Sequence, residues 1–284
     1  MTQSVWTTSL YGCVAGIELP CDKFKVANGI TLSKIFADIF NTPVIAFAPP
    51  ETGKHHPGPW SAVRGGSLLQ CRAQIEITDT DPYADFSDNS LAWFVVALMR
   101  LKLDAPIRLA ATSRAPFAIQ NASQASFDSE LFEAAPVQWG IFFSDKPFYA
   151  ASAQDLNWLE LLLPQALALW KEERFRLAFT IFDQARWSAT SESSATMLWT
   201  AIEILLGISA VRDKTRAISA GLSDFIAKDQ SERDKIYPVV RDLYRTRGSV
   251  IHAGGSPQKN EFVQLFRFVA VALQKALVGR LPPV

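Results

Sequence analysis

The spacing of apolar positions changes near residue 150. Between residues 9 and 150, short apolar runs alternate with turn-forming residues, a pattern typical of strands. From residue 153 onward, apolar positions recur every three or four residues, as they do on the buried face of a helix. The pattern predicts a two-part chain, with an N-terminal α+β domain over residues 1–150 and an all-α helical bundle over residues 151–284.

The N-terminal part contains several predicted strands and one predicted helix. The strands are Ser9–Leu19, Phe24–Ile35 (broken by the turn pair Asn28-Gly29), Leu68–Thr78, Ile107–Thr112 and Val137–Phe143. The helix is Leu91–Leu103, and Asn89 or Ser90 is the expected N-cap. Four prolines and four glycines between residues 49 and 66 predict a loop. His55 and His56 lie in this loop, where a polar loop tip is favoured over a metal or phosphate contact.

The C-terminal part contains six predicted helices. They are Gln154–Trp170, Glu172–Trp187, Glu192–Gly207, Arg212–Lys228, Ser231–Ala253 and Lys259–Val278. Pro238 offers an alternative start for the fifth helix, because proline suits a first helical turn better than an interior. The short connections predict antiparallel neighbours in a bundle.

Charge and cysteine content limit the classes of function. Lys plus Arg and Asp plus Glu both total 28, so the formal net charge is zero. This balance argues against coating nucleic acid by bulk electrostatics, but it permits a local basic groove and self-association. Cys13, Cys21 and Cys71 form no C-x-x-C pair, so we expect free thiols in a reducing compartment. The acidic residues Asp79, Asp81, Asp85 and Asp88 are interpreted as a polar turn rather than a cation site.

Targeting signals and membrane spans are not expected from the sequence. Residues 1–10 lack a basic stretch followed by an apolar run, which is the pattern of a signal peptide. The most apolar segments, near residues 159–170 and 262–277, are interrupted by polar or charged residues. We therefore expect a cytoplasmic protein that does not associate with membranes.

The candidate chemistry lies in the fifth predicted helix and in the third. Arg247 falls on the apolar line of its helix, where a permanent charge needs an acidic partner, a phosphate or access to water. Glu203 is a candidate partner, because it is the only charged residue between Glu192 and Arg212. His252 follows Arg247 with R-x-x-x-x-H spacing, and its structural alternative is a histidine that caps the end of the helix.

These residues carry a resemblance to a known family. The stretch LYRTRGSVIHAG over residues 243–254 resembles the signature helix of HEPN domains, with its R-x4-6-H motif. The stretch WTAIEILL over residues 199–206 resembles the alE-x-L helix of the Apea-like branch, and KTRAI over residues 214–218 resembles the basic start of the following helix. The resemblance covers roughly residues 172–278. A similarity of residues 10–12 and 26–31 to the region that precedes such domains accompanies it.

The resemblance implies a metal-independent endoribonuclease that acts as a homodimer of its C-terminal bundle. His252 would be the general base or acid at a ribose 2′-hydroxyl, and Arg247 would hold the phosphate, with Glu203 in support. It implies RNA as the partner, no cofactor, and a role in stress response or antiviral defence.

Gly248 directly after the arginine departs from many active members of that family. Residues five positions apart on an ideal helix point about 140° away from each other. A working site therefore needs either a helix distorted at Gly248 or residues from two subunits. The alternative is a non-catalytic module that dimerises and binds a nucleotide or RNA. The N-terminal domain is expected to sense a small-molecule or protein ligand or to restrain activity, and a small-molecule enzyme in that half is a third reading.

Overall fold

The structure is a computed structural model of the chain. It describes residues 9–40, 45–47, 52–54, 59–62, 68–78, 83, 85–117, 133–134, 140–143, 148–208, 212–253, 256–279 and 281–282. For residues 248–253 it describes the backbone and not the side chains.

An antiparallel sheet forms the N-terminal region. The strands are β1 (Leu10–Ala15), β2 (Ile17–Glu18), β3 (Lys23–Ala27), β4 (Ile30–Phe40), β5 (Ile45–Phe47), β6 (Pro59–Ala62), β7 (Leu68–Ile77), β8 (Arg108–Ser113), β9 (Glu133–Ala134) and β10 (Tyr149–Ala150). The main sheet has the order β3-β4-β7-β1-β8, and the two-residue β9 lies along β8 at its edge. Two short pairs, β10 with β2 and β5 with β6, stand apart from it.

Most predicted strands are confirmed, with two differences. The region Ser9–Leu19 divides into two strands at Gly16, where φ is 81° and a Cβ atom would lie 2.2 Å from the carbonyl oxygen of Pro106. The predicted strand Val137–Phe143 is wrong for residues 140–143, which are irregular, and its first three residues lie outside the described part of the chain. Ile141 donates its backbone N–H to the carbonyl of Arg186, 2.6 Å away, instead of joining the sheet.

Helix α1 (Asp88–Leu103) confirms the helix predicted in the N-terminal part, but its cap was predicted wrongly. Ser87, rather than Asn89 or Ser90, is the N-cap, and its hydroxyl accepts the backbone N–H of Ser90. The helix therefore begins one turn earlier than expected. It is buried along most of its length, because it lies between the sheet and the helices that follow.

All six helices predicted after residue 150 are present. They are α2 (Ala153–Trp170), α3 (Glu173–Ala185), α4 (Ser191–Leu206), α5 (Lys214–Ile226), α6 (Gln230–Ala253) and α7 (Lys259–Val278). Pro238 does not start α6 but lies inside it. The helix starts earlier because Asp229 accepts the backbone N–H of Glu232 at 2.8 Å, and the Glu232 carboxylate accepts the N–H of Lys228 at 2.8 Å.

Two groups of buried side chains cover the two faces of the main sheet. On one face, Leu32 and Ile75 belong to a continuous cluster that also includes buried residues of α1 and of the C-terminal helices. On the other face, a smaller cluster contains Tyr11, Cys13, Cys71 and Phe117. The larger cluster joins side chains from before and after residue 150. The division into two domains at that residue stays a prediction, as does the specific HEPN-like form of the helical region.

Two ion pairs join α1 to α3 within this cluster. Arg100 donates from Nε and Nη2 to the two carboxylate oxygens of Asp183, each at 2.8 Å, and both side chains are 3% exposed. Arg100 also donates to the carbonyl of Ile107 at 2.9 Å, at the start of β8. Arg186, which is 1% exposed, pairs with Asp104 at 2.7 Å just beyond the C-terminus of α1. The buried pair of Arg100 and Asp183 thus joins strand, central helix and bundle, and the partly exposed Asp104 balances the buried Arg186.

The described helices include none with both the length and the apolar character needed to cross a bilayer. The cytoplasmic location expected from the sequence stays a prediction.

Replacing Asp183 with Asn should destabilise the fold strongly. The variant leaves the Arg100 guanidinium in the core without its counter-charge, and breaking a buried pair in this way costs about 3–5 kcal/mol. Urea unfolding of wild type and variant measures the loss. Lys171→Ala is the matched control, because Lys171 forms an ion pair with Asp85 at 3.5 Å in which both side chains are exposed. Exposed ion pairs contribute about 0–1 kcal/mol to stability. Equal losses in the two variants would contradict the role given to the buried pair.

Candidate functional site

Helix α4 places one carboxylate within an otherwise apolar segment. Thr190 caps the helix by accepting the N–H of Ser193, and Gly207 ends it in the left-handed conformation with φ of 70°. Glu203 lies in the last turn, and its side chain is only 13% exposed. One carboxylate oxygen, Oε2, accepts from Lys214 Nζ at 2.7 Å, and the other, Oε1, accepts from the Tyr244 hydroxyl at 2.8 Å. A buried carboxylate is thus balanced by groups from two other helices.

Helix α6 contributes Tyr244 and Arg247, which lie three residues apart and therefore share a face. The Tyr244 ring meets the Trp199 ring of α4 edge-on, with centroids 4.9 Å apart. Burial raises the pKa of the Tyr244 phenol to about 12, and the hydrogen bond and negative charge of Glu203 act in the same direction. Tyr244 therefore stays protonated at neutral pH and keeps Glu203 oriented.

Arg247 has a charge but only long polar contacts. Its Nη2 lies 3.7 Å from Glu203 Oε1, and its Nη1 lies 3.5 Å from the Tyr244 hydroxyl oxygen. Charge-assisted hydrogen bonds are normally about 2.7–2.9 Å long. Its Nε is buried and has no hydrogen-bond partner among the side chains and backbone that the structure describes. The side chain as a whole is 28% exposed.

His252 is on the same helix, in its last turn. Helix α6 continues without interruption through Gly248 to Ala253, so the distortion considered at Gly248 is not found in the backbone. Positions 247 and 252 are therefore separated by about 140° around the axis of α6, as on any regular helix. The His252 imidazole lies outside the described side chains. The structure brings Arg247 to Glu203, and the catalytic role of all three residues stays a prediction.

A narrow pocket opens beside Arg247, between α4, α6 and the start of α7. Its lining is mixed in polarity and consists of Ala195, Thr196, Trp199, Leu243, Thr246, Arg247, Pro257, Glu261, Phe262 and Leu265. Tyr244 and Lys214 were not predicted as residues of the site from the sequence. The position of Tyr244 three residues before Arg247 was the signal that could have identified it.

The remaining candidate residues form no site in the described part of the chain. Asp85 pairs with Lys171 and Asp88 with Arg114, as expected for a polar turn. His55, His56, Asp79 and Asp81 lie outside the described residues. The described ranges contain no group of three or more His, Cys, Asp or Glu side chains that could hold a metal ion. All three cysteines are free thiols; Cys13 and Cys71 are buried, and Cys21 is partly exposed.

Comparison of the chain with family models, with curated proteins and with solved structures gives no match in any of the three. The HEPN resemblance thus rests on the sequence motifs alone.

Tyr244→Phe should change how stability depends on alkaline pH. The pKa of the phenol rises from its ordinary value of 10.0 to about 12 in the folded chain. The stability that the protonated Tyr244 phenol contributes is therefore complete below pH 10.0 and is lost as the pH rises through about 12. The free energy of unfolding of wild type minus that of the variant should fall over this window. Denaturant unfolding at a series of pH values measures it, and a constant difference would contradict the buried hydrogen bond to Glu203.

Proposed function

We propose that the chain is a metal-independent endoribonuclease of HEPN type, which cleaves RNA by attack of a ribose 2′-hydroxyl on the neighbouring phosphate. The observation that carries the proposal is the state of Arg247. Its guanidinium cannot lose its charge and lies beside a pocket. It donates no short hydrogen bond to any of the described residues. Carboxylate and phosphate oxygens are the ligands that a planar set of N–H donors fits best, and RNA supplies the phosphate.

The surrounding residues suit the positioning of such a guanidinium. Glu203 and Tyr244 lie along one edge of Arg247 at 3.7 and 3.5 Å, which orients the group without using its full capacity to donate. Glu203 is itself held by Lys214 and Tyr244, so its charge does not neutralise Arg247 alone. Because the donors are fixed before the substrate arrives, they can stabilise the negative charge that develops on the phosphate.

His252 supplies the proton transfers in the proposed reaction. The imidazole takes the proton of the 2′-hydroxyl, and the 2′-oxygen forms a bond to phosphorus. The bond between phosphorus and the 5′-oxygen breaks, and the leaving oxygen receives the proton back from the imidazolium. The products are a 2′,3′-cyclic phosphate and a 5′-hydroxyl end. Since DNA lacks the 2′-hydroxyl, it is not a substrate.

Two copies of the helical bundle are needed if the two groups act on one phosphate. Positions 247 and 252 lie on different faces of the unbroken helix α6, so the proposed reaction does not rely on one chain to supply both groups to the same phosphate. A two-fold dimer brings Arg247 of one copy towards His252 of the other. The zero formal net charge of the chain opposes such association little. The role in stress response or antiviral defence and the cytoplasmic location are parts of the same proposal.

Arg247→Ala and His252→Ala should each lower the rate of RNA cleavage about 100-fold or more, because each removes a group that acts in the transition state. The assay uses purified protein and mixed single-stranded RNAs in the presence of a chelator. Arg245→Ala is the matched control, because Arg245 is on the same helix and 63% exposed, with only a 3.8 Å contact to Asp242.

Three outcomes of this assay would count against the proposal. They are cleavage that requires added metal, cleavage that survives both substitutions, and equal loss in Arg245→Ala. Circular dichroism of each variant separates a lost active group from a lost fold.

Mixing the two inactive variants should restore part of the activity. In a heterodimer of Arg247→Ala and His252→Ala, one of the two composite sites retains both groups. Random exchange of subunits makes half of the dimers heterodimers, so about a quarter of wild-type sites return. Cleavage is measured after unfolding and refolding of an equal mixture. No recovery, when each variant refolds and dimerises alone, would contradict a site shared between subunits.

A second candidate function is a dimeric module that binds RNA or a nucleotide without cutting it. The regular course of α6 across Gly248 favours it, because positions 247 and 252 then lie on different faces of the helix and Arg247 could hold a phosphate alone. Under this alternative, wild type binds RNA, Arg247→Ala weakens binding, and neither wild type nor any variant produces a 2′,3′-cyclic end.

A further inference from the structure

A second and larger groove opens along α4, where the other oxygen of Glu203 meets Lys214. It has a volume of about 390 Å³ and is formed by the first turns of α3, the last turns of α4 and the first residue of α5. Its lining residues are Glu173, Arg174, Leu177, Thr200, Glu203, Ile204, Gly207, Ile208 and Lys214. Glu203 belongs to this groove and also contacts Arg247, so the groove and the Arg247 site adjoin at one carboxylate.

The floor of the groove is aliphatic and open to solvent. Leu177 is 41% exposed, and Ile204 and Ile208 are partly buried. On the rim, Arg174 donates from Nη2 to the carbonyls of Leu205 and Pro282 at 3.0 and 2.7 Å. These bonds occupy Nη2 of Arg174, whereas Lys214, which is 34% exposed beside Glu203, can take a new ligand. An apolar floor beside a cation suits a ligand with a flat apolar part and a negative charge.

The two cations on either side of Glu203 are close together. Lys214 Nζ is 2.7 Å from one carboxylate oxygen, and Arg247 Nη2 is 3.7 Å from the other. The distance between Lys214 Nζ and Arg247 Nη2 therefore cannot exceed the sum of these two contacts and the distance between the two oxygens of one carboxylate. Neighbouring phosphates of a single nucleic-acid strand can span such a distance. Lys214 is 34% exposed, so it can bind a phosphate while Tyr244 and Arg247 keep contact with Glu203.

We infer that this groove binds the nucleotide next to the one whose phosphate lies at Arg247. Lys214 contacts the phosphate of that nucleotide, and its unpaired base rests on Leu177, Ile204 and Ile208. This inference rests on the proposed function and deepens it, because a base can enter the groove only when it is unstacked from a partner strand. The substrate is therefore single-stranded RNA, and a duplex of the same sequence binds without using the groove.

Lys214→Ala tests the phosphate contact. The probe is a fluorescent single-stranded RNA of eight nucleotides with 2′-O-methyl riboses, which cannot be cut, and binding is followed by fluorescence anisotropy. The variant should bind about tenfold more weakly, as expected for one lost charge-assisted hydrogen bond. Its plot of log affinity against log salt concentration should be shallower by about 0.7, the value for one phosphate of a single strand. Lys214→Arg should retain most of the binding.

Two further variants make the test specific. Lys235→Ala removes an exposed lysine on α6 that is not part of the groove lining, and it should leave affinity and salt dependence unchanged. Leu177→Ser changes an exposed floor residue, so the fold should survive. It should weaken binding of the intact oligonucleotide but not of one that lacks the relevant base. A duplex of the same sequence should not distinguish wild type from either groove variant.

The outcomes separate this inference from the proposed function. If wild type cuts RNA and Lys214→Ala binds the probe with unchanged affinity and salt dependence, the groove assignment is wrong and the ribonuclease proposal stands. An equal loss in Lys214→Ala and Lys235→Ala also overturns the groove assignment. If wild type neither binds nor cuts RNA, both proposals fall. A tenfold loss confined to Lys214→Ala, with binding retained in Lys214→Arg, supports the groove.

Discussion

The bidentate pair of Arg100 and Asp183 is the interaction on which the arrangement of the molecule depends. Two charges are removed from water at the point where α1 meets α3, and each is acceptable only because the other is in place. Arg100 also binds the carbonyl of Ile107, so the same guanidinium connects the sheet to the bundle. The apolar cluster around this pair holds α4 and α7 against each other and thereby sets the position of α6, which bears Arg247.

At the candidate site, in contrast, the arginine lies farther from its acidic partner. At Arg100 every partner is close, whereas at Arg247 the acidic partner and the phenol stay at 3.7 and 3.5 Å. The first guanidinium stabilises the fold, and we propose that the second retains donors for a ligand. Tyr244 contributes to this difference, because its protonated hydroxyl binds Glu203 Oε1 and competes with Arg247 for it. A strongly bonded Arg247 would be a structural residue, and a fully exposed one would lack a defined orientation.

The helices were predictable from the sequence because their apolar period is regular and several of them begin at a capping residue, such as Ser152 and Thr190. The strand at residues 140–143 was not, because Phe143 packs against Phe262 and Phe266, and the apolar run serves the bundle rather than the sheet. At the site, the pairing of Glu203 with Arg247 followed from the cost of burying each charge alone. Tyr244 and Lys214 could not be assigned in that way, because an aromatic residue on an apolar face and a lysine at a helix start both have ordinary structural roles. Asp183 was missed for a related reason, since its partner Arg100 is 83 residues away.

The central claim is that Arg247 is a phosphate-binding group at a seam between two copies of the bundle. A crystal structure of the protein with an RNA oligonucleotide carrying 2′-O-methyl riboses tests it most directly. The account predicts a two-fold dimer in which a phosphate oxygen lies within about 3 Å of the Arg247 guanidinium and faces His252 of the second copy. RNA bound away from Arg247, or a His252 imidazole enclosed in the bundle in every copy, would contradict it.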